Sequence, residues 1–358
     1  VNQSLVFVGT QGVGPDGGIH VLRLDEAAGQ LDQPCLAAVV DRPTWVMADP
    51  NRSVLYAVSE MGNAGDRIGD VLSFAIDLAQ GTLAPLSSMP SGGSGPTHLT
   101  LDAEARSVFV ANFGGGQVAV LPVSPDGALQ PVCSSRVGTG SGPHRRQKGP
   151  HAHGVTLDPS GRFLLAPDMG ADRIFIYPYD PQSQLLGDDP SLHVAVPAGA
   201  GPRLLLFGKD GRFAYLLTEL SAHILTFGWA AETGTLTPLG TLSLDPPQHE
   251  GEPNAAGFTI SRDGRFLYAT NRRTHTIHAF AIDSDDGRLT PIQTIAAGGD
   301  KPWALEISPT GRWMLAANQA SDEVRLFKRD AASGQLAAMP DALSIAAPTS
   351  FAFVPARA

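Results

Sequence analysis

The sequence predicts an all-β chain folded as a seven-bladed β-propeller. Three observations predict it: a two-strand pattern recurs seven times, the seventh copy is split between the two ends of the chain, and the turn inside the pattern carries an arginine at a regular step. First strands read PTWVMADP (43–50), PTHLTLD (96–102), AHGVTLDP (152–159), PRLLLFGKD (202–210), AAGFTISRD (255–263), PWALEISPT (302–310) and PTSFAFVP (348–355). Second strands read SVLYAVSE (53–60), SVFVANF (107–113), FLLAPDM (163–169), FAYLLTE (213–219), FLYATNR (266–272), WMLAANQ (313–319) and LVFVGTQ (5–11). The last copy runs out of order, its second strand opening the chain and its first strand closing it. A ring closed by pairing the N- and C-terminal strands in one blade is therefore expected.

The turn arginines Arg52, Arg106, Arg162, Arg212, Arg265 and Arg312 stand 47 to 56 residues apart. A step of about 52 divides the chain into seven units, as propellers and solenoids do. A solenoid would carry capping repeats at free ends, whereas these ends are complementary. A third apolar run follows the strand pair, as in VLSFAID (71–77), QVAVLPV (117–123), RIFIYPY (173–179), HILTFGW (223–229), TIHAFAI (276–282) and EVRLFKR (323–329). A less regular fourth segment such as LTPIQTIA (289–296) leads into the next unit. Four short strands with Gly/Asp turns make one blade. The repeat leaves no linker, so residues 1–358 are expected to form a single propeller domain.

Composition agrees with this architecture. The chain has 40 glycines and 29 prolines, which suits an all-β protein rich in turns. No run approaches roughly eighteen apolar residues, so no membrane span is expected. The net charge of −10 argues against nucleic acid or an anionic membrane as partner. Cys35 and Cys133 suggest neither a disulfide framework nor a zinc site and read as small buried apolar residues. The chain begins at Val1 and carries no targeting segment, which reads as cytoplasmic, or as periplasmic if a signal peptide was removed. A closed ring predicts a monomer.

Repeats agree where they build a fold and diverge where they bind. The start of each first strand and the finish of each second lie at one end of the ring, around the axis. The seven units place Thr44, Thr97, His153, Arg203, Ala256, Trp303 and Thr349 at the first position. They place Gln11, Glu60, Phe113, Met169, Glu219, Arg272 and Gln319 at the second. His153, Arg203, Glu219 and Arg272 thus converge on one sector. Paired guanidinium donors hold a carboxylate or an oxyanion, and histidine moves protons near neutral pH. With no serine or cysteine nucleophile in a recognisable setting and no metal-ligand spacing, the set fits water attack on a carbonyl, or proton transfer beside a carboxylate. Arg203 and Glu219 also read as an ion pair stiffening the channel.

Further candidates surround this sector. The basic loop SGPHRRQKGPHAH (141–153) offers Arg145, Arg146 and Lys148 to a phosphate or carboxylate, or simply to solvent. His151 and His153 flank one alanine and would face the same way on a strand. Glu60 and His98 are candidates at the rim, and Trp303 is either a wall for a sugar ring or a channel plug. GTQGVG (9–14) and FGGGQ (113–117) lack a following helix, so no nucleotide cofactor is expected.

FVGTQ (7–11), VANFGGGQVAV (110–120), the RQ…PHAHGV loop (146–155), Gly201-Pro202-Arg203, Thr218-Glu219 and Asn271-Arg272 together resemble the seven-bladed lactonase family. That family includes propeller-type 6-phosphogluconolactonases and the fungal 3-carboxy-cis,cis-muconate lactonising enzyme. The resemblance covers essentially the whole chain. It implies a metal-independent site of His153, Arg203, Glu219 and Arg272; around it Arg146, Gln147, His151, Glu60, His98 and Trp303 are the substrate-binding candidates, and no cofactor is expected. It further implies hydrolysis of a small-molecule sugar-acid lactone, of the 6-phosphogluconolactone or gluconolactone type. Arg203 and Arg272 would polarise the carbonyl, His153 would activate water, and Glu219 would orient a partner or relay a proton. Leu204, where the family often has His, and Gln11, where it usually has Tyr, leave substrate identity open. A lactone-forming cycloisomerase fits the same residues, a calcium-dependent gluconolactonase-like site lacks evident ligands, and a non-catalytic interaction platform remains the alternative outside enzymology.

Overall fold

The computed structural model describes residues 3–14, 17–187, 189, 192–246 and 250–355. Seven antiparallel sheets account for the strands. Blade 4 shows the plan, with strands Pro202–Phe207, Phe213–Thr218, His223–Ala230 and Thr235–Ser243 hydrogen-bonded in sequence order. Blades 1, 2, 5 and 6 repeat it over residues 46–90, 96–137, 255–296 and 302–344. Blades 3 and 7 break their outer strand into two short pieces, Leu185–Leu186 with His193–Ala195 and Gln30–Leu31 with Cys35–Ala38. In blade 7 the N-terminal strand Gln3–Thr10 pairs with the C-terminal strand Pro348–Pro355. On its other side it pairs with Ile19–Asp25, the one third strand that the repeat comparison left unassigned.

The strands alternate side chains between two faces, and both faces of a blade are covered by its neighbours. Among the described residues, seven apolar clusters each join two consecutive blades. Phe7 and Leu55, for example, meet between blades 7 and 1, and Val8 and Leu315 between blades 6 and 7. The turn arginines add polar stitches between the same neighbours. Arg52, Arg106, Arg162, Arg212 and Arg265 donate to the carbonyls of Pro125, Pro181, Ala231, Ser284 and Ala332, each on the following blade. The ruler of the repeat is thus also a clamp. Tyr56, Tyr215 and Tyr268 do the same from the second strand, donating their hydroxyls to Gly127, Gly287 and Gly334 of the following blade.

The expectation that Cys35 and Cys133 are buried is corrected. Both are free and exposed, because they lie on or beside outer strands at the ring's circumference, where no further layer covers the sheet. No helix among the described residues is long and apolar enough to cross a membrane.

Two repeated backbone features aim side chains at the axis. The N–H that follows each second strand donates to the carbonyl preceding each first strand. In blades 4 and 5 this is Glu219 to Gly201 at 2.7 Å and Arg272 to Asn254 at 2.7 Å, and the other five blades repeat it. The first strand then slips register. Thr97, Arg203, Trp303 and Thr349 are each skipped between paired neighbours, and Ala256 lies in the corresponding slip of blade 5. A bulge leaves its extra residue unpaired and re-aims its side chain, here into the funnel.

Closure of the ring predicts a large response to a single truncation at an interblade seam. Phe7 is fully buried between blades 7 and 1. Phe7→Ala is expected to lower unfolding free energy by about 3–5 kcal/mol, measured by urea denaturation.

Candidate active site

Glu219 sits at the centre of the funnel with its side chain almost wholly buried. Arg203 donates Nη1 to its Oε2, Arg146 donates Nη1 to Oε1 at 2.6 Å, and Arg272 Nη2 lies 3.2 Å from Oε1. His153 Nε2 stands 3.6 Å from Oε2 and 2.6 Å from Arg203 Nη1. Arginine only donates, so His153 accepts at Nε2 and carries its proton on Nδ1, which is buried without a partner. Trp303 forms a wall behind both guanidiniums, with Arg272 4.3 Å and Arg203 5.4 Å from a ring centroid. Asn254 and the Ala255 carbonyl accept from Arg272, and the Ala256 carbonyl accepts from Arg203.

The electrostatics follow from this packing. Burial pushes the Glu219 carboxyl up, but Arg272 and Arg203, with smaller contributions from His153 and Arg146, outweigh it and hold it well below the usual carboxylate range. Burial and then the Arg203 charge hold His153 well below its ordinary value, so the ring is neutral at pH 7. Burial lowers Arg203 and brings Arg272 down to about 10, still protonated at neutral pH.

A cavity of about 300 Å³ opens above this group, and His153, Arg203, Glu219, Arg272, Arg146, Glu60 and Trp303 all line it. Other candidates lie elsewhere. His98 lines a second chamber further down the channel, its ring tilted against Trp45 with centroids 4.1 Å apart, and is driven to about 3 by burial and then Arg203. Gln147 anchors its own loop, donating Nε2 to the Met169 carbonyl at 2.8 Å and to Asp172 Oδ1 at 2.7 Å. His151 turns its Nδ1 to the Phe113 carbonyl at 2.8 Å and stacks on that ring, because residues 151–155 form only an isolated bridge and not the strand assumed for them. Gln147 and His151 therefore support the site without lining it. Arg145 is turned outward onto Glu252 at 3.0 Å, and Lys148 is exposed away from the cavity.

The funnel also contains residues that the comparison of repeats missed, namely Arg42, Asn63, Asn254 and Lys301. Arg42, Asn254 and Lys301 occupy one repeat position, two residues before Thr44, Ala256 and Trp303. The same comparison shifted by two residues would have found them. Arg42 and Lys301 hold positive φ angles of 48° and 52° immediately before proline, a conformation costly for any residue with a Cβ. Counting Arg42, Arg146, Arg203, Arg272 and Lys301 against Glu60 and Glu219, the funnel carries three excess positive charges in an acidic protein.

The molecule is thus a closed seven-bladed propeller with a buried His/Arg/Glu/Arg cluster at one mouth. A family model described as Lactonase, 7-bladed beta-propeller matches residues 5–353, and the chain belongs to that family. It is 31% identical to the 6-phosphogluconolactonase of Bacillus subtilis, with 97% of each chain covered. A structure described as a periplasmic gluconolactonase from Pseudomonas aeruginosa superposes with a TM-score of 0.93 at 36% identity, covering 99% of this chain and 100% of the other. The 6-phosphogluconolactonase of Formosa agariphila is 27% identical over 92% of this chain and 94% of its own.

Two buried neutral histidines predict acid sensitivity. A histidine whose pKa is depressed on folding contributes nothing unfavourable above its unfolded value of about 6.5, and stability falls as pH drops below it because only the unfolded chain takes the proton. His98 and His153 should each steepen this loss by up to about 1.4 kcal/mol per pH unit. Urea midpoints at pH 7.5 and pH 5 test it, and His98→Asn is expected to flatten the dependence. Glu219→Gln, which strands Arg203 and Arg272 without their counter-charge, is expected to cost about 3–5 kcal/mol in the same assay.

Proposed function

We propose that this protein hydrolyses a sugar-acid lactone, with His153, Arg203, Glu219 and Arg272 as its working residues. The observation that carries the reading is the shared Arg203 Nη1, which bridges the unprotonated Nε2 of His153 and the carboxylate of Glu219. The names of the relatives, 6-phosphogluconolactonase and gluconolactonase, support the same substrate class.

The substrate carbonyl enters between Arg203 and Arg272 and takes over donors now spent inside the cluster. As Arg203 turns to the carbonyl oxygen, His153 Nε2 is released to accept a proton from water. That water attacks the carbonyl carbon, and the negative charge on oxygen is met by two fixed guanidiniums in a site largely closed to solvent. Collapse of the tetrahedral intermediate breaks the bond to the ring oxygen, which takes the proton back from His153. The hydroxy acid leaves as its carboxylate. Glu219, held ionised by its arginines, is too weak a base to open the ring; its work is to fix the guanidiniums and to favour the imidazolium as it forms.

The reaction proceeds without a metal. Three guanidiniums surround the carboxylate at the centre of the site, an arrangement that repels a cation. The excess positive charge of the funnel favours a lactone carrying a distal anion, with Arg42 and Lys301 lining the same cavity from blades 1 and 6. On this reading 6-phosphoglucono-1,5-lactone is preferred over glucono-1,5-lactone.

Acid release from both lactones, corrected for spontaneous hydrolysis, tests the proposal. Arg203→Ala is expected to lower kcat about a hundredfold or more, His153→Ala to do likewise, and chelator to change nothing. Since His153 must be neutral to act, kcat/KM should stay level as pH falls through 6.5 and drop only through its depressed pKa. Lys301→Ala should erode the preference for the phosphorylated lactone. Near-normal rates in Arg203→Ala would overturn the assignment.

A further inference from the structure

Below the cluster the channel widens into a second chamber of about 340 Å³. It shares Glu60, Thr97, His153, Arg203 and Trp303 with the funnel, so the two cavities meet at a waist that includes two of the working residues, His153 and Arg203. Their walls differ in kind. The funnel carries five cations, whereas among the described residues Arg203 at the waist is the only Arg or Lys lining the chamber. Further down its walls are Trp45, Met47, Leu206, Phe258 and Leu305, interspersed with Thr100 and Thr259. The carboxyl of Glu306 lines the same space, accepting from the Ile307 N–H at 3.2 Å and forming no ion pair among the described residues. Burial pushes that carboxyl up to about 7, as expected in surroundings of low polarity. His98, the other histidine or carboxylate lining the chamber below the waist, is neutral. A phosphate or carboxylate would lose its hydration here and gain no cation beyond the waist.

We propose that the chamber is a second substrate seat, taking the aliphatic tail of an uncharged lactone whose carbonyl lies at the waist. The proposal rests on the lactonase reading above and extends it to alkyl-substituted δ-lactones, a class that the cationic funnel would not select. The chemistry is the same ester hydrolysis. Water adds at the carbonyl carbon, the bond to the ring oxygen breaks, that oxygen is protonated, and a 5-hydroxy acid departs as its carboxylate with release of one proton. The tail remains below the waist, in contact with Met47, Leu206 and Phe258, while the carbonyl oxygen faces Arg203.

A chain-length series tests this. δ-Valerolactone, δ-hexalactone, δ-octalactone and δ-decalactone are compared by initial rates beside 6-phosphoglucono-1,5-lactone and glucono-1,5-lactone. Each methylene moved from water into the chamber should raise kcat/KM roughly three- to fourfold. Thr259→Phe, and the milder Thr100→Leu, fill the chamber away from the cluster. They should flatten the series while leaving hydrolysis of the phosphorylated lactone unchanged, with circular dichroism confirming the fold. A flat or falling series in the wild type, alongside hydrolysis of the sugar lactones, overturns the chamber and leaves the lactonase reading standing. Should no lactone be hydrolysed, the lactonase reading fails. The chamber is then decided by calorimetry with δ-decalactam, the non-hydrolysed analogue. Binding weakened tenfold or more by Thr259→Phe supports the seat, and absence of binding to the wild type overturns it.

Discussion

Pairing of the chain's two ends is the constraint on which the remaining structure depends. The strand Pro348–Pro355 is hydrogen-bonded to Gln3–Thr10, and its side chains alternate between two seams. Phe351 and Phe353 pack toward blade 6, whereas Ala352 and Val354 pack toward blade 1. One strand thus completes a blade and seals the interfaces on both sides of it. Each blade buries its faces only against neighbours, so an open ring would leave two apolar faces in water. That exposure is the large term in the stability of such a fold.

Closure also makes the site. Seven copies of one local device, a backbone hydrogen bond into the pre-strand residue followed by a slip in register, bring equivalent side chains to a common axis. The device is indifferent to side chain and carries Thr97 as readily as Arg203. Chemistry arises where residue type breaks the symmetry. Blades 3, 4 and 5 contribute His153, then Arg203 with Glu219, then Arg272, and loop residue Arg146 reaches over them. A buried carboxylate among guanidiniums is costly to desolvate and is retained only because every partner is charged and close. In return the ring nitrogen of His153 stays unprotonated, and two guanidiniums stay fixed where negative charge would form.

Much of this was legible in the residues. Strand order, the permuted blade and the positions of six third strands follow from period-two alternation and turn residues, which act over a few neighbouring positions. The quartet followed because equivalent repeat positions must be equivalent in space. The basic loop was less tractable. Arg146 enters the site while Arg145 and Lys148 turn away, and Gln147 folds beneath the loop onto Asp172. No periodicity governs a loop of that kind. The irregular backbone at 151–155 likewise parted His151 from His153, although strand spacing would have aligned them.

The sequence by itself determined the number of blades, the closing pair and the ring positions at which ionisable groups meet, because those depend on local pattern and on the repetition of one unit. Only the tertiary structure decided which groups are buried together, that His153 is neutral with its proton on Nδ1, that Arg42 and Lys301 complete a cationic funnel, and that a largely apolar chamber lies below the waist. Those properties depend on distances between blades and on how much water each group loses. Both are set by closure of the whole ring and by no single stretch of chain.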